Sequence, residues 1–256
     1  MTAKTGGPAS RGTAQVFAAA VVVVAAVFAA GFSPIGDRIG IFVESTILGR
    51  EPLVISATSD TDRFNFAGAP ISMKFTFPLS SMQLPPPPPS SERCTNRYTW
   101  AHSLGGEDHF STYGQVSLYA RSAGVAVLGA RVEIVERLAP MARTVVGCDL
   151  GGPIDVSYLS IDLDRAVAEY STGSGVDDVR PFALEVAQGE TEVVQFWAFS
   201  GTCDCRWRII LDVQVDGVVE EIAIDNDGVP FVTYASGEVR DYYQWYADQQ
   251  QWILLE

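Results

Sequence analysis

Three patterns of apolar and polar residues divide the chain. The first is an apolar run, Ala14–Ile35, that carries no charge. As a helix it is long enough to cross a hydrocarbon core of about 30 Å. In lipid the backbone must satisfy its own hydrogen bonds, so even the stretch Val21–Val24 is expected to be helical. Ala29, Ala30 and Gly31 resemble a cleavage site, but the run continues to Ile35, past the usual apolar region of a signal peptide. This favours an uncleaved single-pass anchor. Lys4 and Arg11 precede the run and all 31 acids follow it. The basic residues of the two near flanks balance. A short basic tail on a first helix usually stays inside, which places residues 1–13 in the cytoplasm and the chain from residue 36 outside.

The second pattern covers residues 36–84. IGIFV, EPLVISAT, FNFA and ISMKFTFPL are short β-type runs split by Gly, Pro and Asp. The segment is marginal for a core of its own, so it either packs on the following domain as extra strands or acts as a stalk. Pro85–Pro89 with Ser90 and Ser91 then reads as a polyproline II spacer over residues 85–91.

The third pattern, residues 92–256, is strict alternation. Val116, Leu118 and Ala120 share one face; Val132, Ile134 and Glu136 oppose Arg131, Glu133, Val135 and Arg137. Ile154, Val156 and Tyr158 change phase to Leu159, Ile161 and Leu163, as at a β-bulge. PFALEVAQGETEVVQFWAF is a strand, a Gly-Glu turn and a second strand. CDCRWRIILDVQV leads through Asp216-Gly217 into VVEEIAI, and Asp225-Asn226-Asp227-Gly228 gives another hairpin signal before PFVTY. Only Asp164–Ser171 has a helical look. The fold class expected is all-β, a β-sandwich of immunoglobulin-like general architecture preceded by one transmembrane helix.

Composition narrows the function. With 17 basic residues against 31 acidic ones the formal net charge is −14, which argues against nucleic acid as a partner. Hydrophobic residues at 47 % exclude an intrinsically disordered chain. Two histidines leave little room for His-rich metal sites.

Cys94, Cys148, Cys203 and Cys205 all follow the anchor, and an even set in an oxidising compartment reads as disulfides. On a strand, Cys203 and Cys205 face the same way as Trp207, Ile209, Leu211 and Val213, so both should be buried. Residues two apart on one strand face lie too far apart for an easy bond. Each is therefore expected to bridge to Cys94 or Cys148, with a weak preference for Cys148–Cys205. Closing such loops would contribute roughly 3–5 kcal/mol per bridge in the chain-entropy model. Zinc is the lesser reading, since one CxC and two isolated cysteines are not a pair of CxxC knuckles.

Candidate chemistry is sparse. In HSLGGEDH, His102, Glu107, Asp108 and His109 offer an acid–base or metal set, but Gly105-Gly106-Glu107-Asp108 is ordinary turn chemistry, and a solvated hairpin loop is the plainer expectation. Asp225–Gly228 lacks the spacing of a calcium loop. Tyr242, Tyr243, Trp245, Tyr246 and Trp252 either form an exposed sugar-stacking row or, as aromatic stripes usually do, close the core. No catalytic, cofactor-binding or metal-ligating residue is assigned.

FALEVAQGETEVVQFWAFSGTCDCRWRIILDVQVDG, IDNDGVPFVT and the Tyr/Trp-rich end, with RYTWAHSLGG and GARVEIVER upstream, resemble a family of uncharacterised actinobacterial membrane-anchored proteins with an exported β domain. The resemblance spans roughly residues 92–256, implies location and architecture, and supplies no catalytic residue. The function expected is a non-enzymatic, membrane-anchored extracytoplasmic interaction or structural module. Lipid is contacted through the helix, and a protein or cell-wall partner is conceivable. The alternative is an anchored hydrolase acting on cell-wall polymer through paired carboxylates such as Glu107 and Asp108.

Overall fold

A computed structural model describes residues 52–64, 73–78, 83–88, 96–121, 124–148, 158–171, 179–180, 182–237, 239–246 and 248–255. The expected anchor Ala14–Ile35, the run IGIFV and Cys94 lie outside these residues. Among the described residues, no helix is long and apolar enough to cross a membrane.

The described residues are all-β with one helix, α1 (Arg97–Ser103). The strands form three sheets. The first runs β1 (Leu53–Thr58), β4 (Ser111–Ala120), β11 (Thr191–Phe199), β7 (Tyr158–Asp162), β8 (Val167–Ser171) and β9 (Val179–Arg180). The second runs β10 (Leu184–Val186), β5 (Val125–Leu138), β12 (Asp204–Val215) and β13 (Val218–Ile224), with β14 (Phe231–Thr233) also on β12. The third runs β16 (Gln251–Leu254), β15 (Val239–Tyr246), β6 (Arg143–Cys148), β2 (Met73–Phe77) and β3 (Glu107–Asp108).

The first two sheets share one apolar core. β4 alternates as expected, burying Val116, Leu118 and Ala120. Phe196 of β11 reaches across to Trp207 of β12 and Phe231 of β14, at ring separations of 5.8 and 5.3 Å. Register shifts in the β5–β12 ladder leave Leu128 and Val135 without partners on β12. Both are exposed, which explains why Val135 interrupts an otherwise polar face. The third sheet and α1 enclose a second core around Phe75, Phe77, Leu84, Ala101 and Val146.

Of the two readings for residues 36–84, the described strands fit the first. β1 pairs along its length with β4, and β2 lies between β6 and β3, so both are built into the sheets. Within the proline run, Leu84 and Pro87 are buried while Pro85 and Pro86 are exposed. The spacing of three matches the period of a polyproline II helix, with one edge buried in place of a free spacer. Asp164–Ser171 is a turn followed by β8, not a helix. Asp164 is held there by its own carboxylate, which accepts from the amides of Gly201 and Thr202 at 2.8 and 3.0 Å.

The Asp216-Gly217 hairpin forms as expected. Both residues take positive φ, 50° and 82°, as a type I′ turn requires. Asp225–Gly228 behaves differently. β13 and β14 both pair antiparallel with β12, at Ile209–Val215 and Cys205–Trp207 respectively. They are two halves of one partner strand, and the turn between them is a short excursion. β10 and β11, contiguous in sequence, join different sheets, so the Gly-Glu turn carries the chain from one layer to the other.

Candidate functional site

Helix α1 is too short to show a helical period, and its end explains how HSLGG misleads. Gly106 N–H donates to the Ala101 carbonyl at 2.9 Å and Gly105 N–H to that of His102 at 3.0 Å, with Gly105 at φ 74°. This is a Schellman cap. A side chain at Gly106 would strike the Phe77 ring and the Ala101 carbonyl, whose atoms would lie 2.5 and 2.9 Å from its Cβ. The two glycines therefore stop a helix and turn it into β3. They do not close a solvated hairpin.

One side of α1 carries a polar cluster. Tyr98 and His102, one helical turn apart, pack with ring centroids 4.0 Å apart. The Tyr98 hydroxyl is hydrogen-bonded to buried Ser59 at 2.7 Å. Glu107 lies 3.7 Å from His102 Nδ1 and Asp108 lies 3.8 Å from Nε2. The two carboxylates thus flank one imidazole from opposite edges. Burial opposes the His102 cation, but Asp108 and Glu107 outweigh it and its pKa rises above the ordinary value. Burial raises the Glu107 carboxyl. Burial, reinforced by Asp108, raises the Tyr98 phenol, so Tyr98 is a poor source of phenolate.

His109 does not sit with them in a solvated loop. It is 6 % exposed, its amide donates to the Lys74 carbonyl at 2.9 Å, and it bridges to Tyr234 beside β14. Burial, with Lys74 and Arg143 nearby, lowers its pKa to about 4. Between the unfolded value near 6.5 and 4, the unfolded chain takes up a proton that the fold refuses. Stability therefore falls as pH drops through that window and levels off below it. His102 has the opposite sign: its contribution is fully present below the unfolded value and fades as pH rises through the folded one. Urea unfolding at pH 7 and pH 4.5 checks the first effect. His109→Gln should lose less stability than the wild type on acidification, by the order of 1–2 kcal/mol.

The other side of α1 faces a cavity of about 40 Å3, lined by Arg97, Trp100, Phe75, Gln244, Trp245 and Trp252 together with β6 residues up to Cys148. Arg97 and Trp100, three apart, come from α1; the rest come from the third sheet. Trp100 stacks on Trp252 at 5.8 Å, and Trp245 meets Trp252 edge to face at 5.1 Å. Of the C-terminal aromatics, Tyr243 and Trp252 pack on the second core, while Tyr246 is exposed. Three buried N–H groups in this lining have no acceptor among the described residues: Arg97 Nε, Trp100 Nε1 and Trp252 Nε1. Burial also lowers the pKa of Arg97. Sequence reasoning saw the C-terminal rings but missed Arg97. The only signal for it was the Arg-x-x-Trp spacing.

The cysteine expectation is corrected. Cys203 and Cys205 are buried on the Trp207 face as read from the alternation, but they are bonded to each other. The strand starts only at Asp204. Before it, Ser200–Thr202 bend around Asp164, and Ser200 Oγ accepts from the Cys203 amide at 3.1 Å. The Cα atoms are consequently 5.3 Å apart, well inside the disulfide range, whose upper edge is where two residues along an extended strand fall. A loop this short contributes only about 1–2 kcal/mol in the chain-entropy model. Cys148 is also disulfide-bonded, to a partner outside the described residues. Non-reducing peptide mapping should recover a single peptide containing an intact Cys203–Cys205 link. A Cys148–Cys205 cross-link would contradict it.

Asp225 serves its turn, accepting from the Gly228 amide at 2.7 Å and pairing with Arg208 at 3.1 Å. No group of three or more His, Cys, Asp or Glu side chains is placed to hold a metal among the described residues. The chain matches no family model, no curated protein and no solved structure.

Proposed function

We propose that the chain is a non-enzymatic binding or structural module held at the cell surface. In this reading Ala14–Ile35 spans the membrane with its N-terminus in the cytoplasm, and the β body lies outside as a sandwich of immunoglobulin-like general architecture extended by the third sheet. The resemblance to membrane-anchored actinobacterial proteins belongs to the same proposal.

The observation that carries it is how the acids and the cavity are divided. Glu107 and Asp108, the pair a wall hydrolase would use, are turned onto His102. The cavity on the other side of α1 is lined by indoles and a guanidinium. A glycosidase needs two carboxyl groups converging on one substrate bond, whereas a binding module needs a concave surface with a few convergent polar groups. Oxidised cysteines suit a compartment outside the cytosol.

Protease added to intact, wall-stripped cells should remove residues 92–256 and leave a membrane-embedded stub. Full protection would invert the topology. Release of soluble sugar from isolated wall by the purified chain, lost in Glu107→Gln, would replace the module with the hydrolase.

A further inference from the structure

The cavity beside α1 has a chemistry that the packing of the fold does not use. A buried N–H without an acceptor is costly, and here three occur together on Arg97, Trp100 and Trp252. The Arg97 side chain forms no hydrogen bond or ion pair among the described residues, although the chain carries nearly twice as many acids as bases. Three other arginines of the body are paired with acids: Arg143 with Asp204, Arg208 with Asp225, Arg131 with Glu221. The lining side chains are thus rich in donors and hold one cation; Gln244 supplies their only amide oxygen.

Such a set selects for acceptors and for negative charge. A hydroxyl-rich ligand brings an O–H donor with every oxygen, and among these side chains only the Gln244 oxygen could accept one. A carboxylate brings only acceptors, and its plane matches a guanidinium. The cavity's size agrees. At about 40 Å3 it has room for roughly three water-sized groups, the number of heavy atoms in a carboxylate. The surrounding rings of Phe75, Trp245 and Trp252 offer apolar surface to whatever follows that head group.

We infer that this cavity binds the carboxylate head of a small organic acid, with Arg97 and the indole N–H groups of Trp100 and Trp252 as donors and the aromatic rings against its apolar remainder. The inference deepens the reading as a binding module and rests on it, but the cavity can be tested alone. A surface-exposed domain without carboxylate affinity would leave the module standing and remove this ligand; carboxylate affinity in a chain with inverted topology would do the reverse.

The test uses the full chain in detergent, titrated with sodium acetate and sodium hexanoate against sodium chloride at matched ionic strength, with neutral acetamide as control. In nitrogen–proton spectra the Arg97 Nε–H signal and the indole signals of Trp100 and Trp252 should move saturably with both carboxylates, and hexanoate should bind more tightly. Chloride and acetamide should produce no saturable shift. Arg97→Gln should weaken acetate roughly tenfold or more, Arg97→Lys should retain part of the affinity, and Trp252→Phe should cost several-fold. The acetate-against-acetamide comparison needs only wild-type protein and stands even if a variant fails to fold. Equal responses to acetate and acetamide, no saturation in the wild type, or unaltered acetate binding in a folded Arg97→Gln variant would each overturn the assignment.

Discussion

Trp207→Ala is expected to remove about 3–5 kcal/mol of folding stability, a large fraction of what a domain this size possesses. Trp207 has no solvent exposure and joins the two sheets in two ways. Its ring contacts Phe231 at 4.9 Å and Phe196, from the opposite sheet, at 5.8 Å. Its indole N–H donates to Thr233 Oγ1 at 3.0 Å. Thr233 is in turn 2.7 Å from Thr112 Oγ1, which lies 3.2 Å from the Val232 carbonyl. One consistent set of donors runs from the indole through both hydroxyls to that carbonyl, satisfying every member of a fully buried chain. Truncation opens a cavity and strands Thr233, whereas Trp207→Phe keeps most of the volume and loses the donor. Urea midpoints should therefore fall in the order wild type, Trp207→Phe, Trp207→Ala. A loss under 1 kcal/mol for the alanine variant would mean that this core does not hold the sheets together.

The second large effect is expected at Asp204, between the two bonded cysteines. Its side chain is 5 % exposed. One oxygen accepts from the Ala235 amide at 3.1 Å and the other from Arg143 at 3.3 Å. Arg143 also lies over the Tyr234 ring, 4.0 Å from its centroid. Removing either partner leaves the other charge buried alone, which costs about 3–5 kcal/mol. Asp204→Ala and Arg143→Ala should each show a loss of that order by calorimetry or urea. The double variant should lose clearly less than the two added together, because the second change removes a charge already without its partner. Additive losses would mean that the two residues stabilise the fold separately.

These two residues also mark how far the sequence could be read. The inward face of β12, from Cys205 through Trp207 to Val213, follows from alternation alone, and so does the type I′ hairpin at Asp216-Gly217. Both are local signals. Asp204 breaks the same alternation: the pattern points it away from the Trp207 face, yet it is buried because Arg143 and the Ala235 amide, distant in sequence, converge on it. Strand pairing was hidden for the same reason. Nothing within PFALEVAQGETEVVQFWAF distinguishes a hairpin from a crossing between layers, and the parallel pairing of β15 with β6 joins segments about a hundred residues apart. The cavity was the least legible feature of all. Arg97 and Trp100 come from a helix of two turns, Trp245 and Trp252 from β15 and β16, and only the fold brings them together.

The third sheet has a consequence for how the polypeptide reaches this state. It gathers β2 at residues 73–77, β6 at 143–148 and β15 and β16 at 239–254. A chain that emerges N-terminus first presents Phe75, Phe77 and Val146 long before Tyr243 and Trp252, which pack on them, have been made. Assembly of the second core is therefore a late event, set by long-range closure and slow on the scale of local structure formation. Until then the nascent protein displays apolar strands with unpaired edges, the condition in which chains aggregate or are bound by chaperones. The polypeptide thus passes through an interval in which the second core stands open until β15 and β16 have been made.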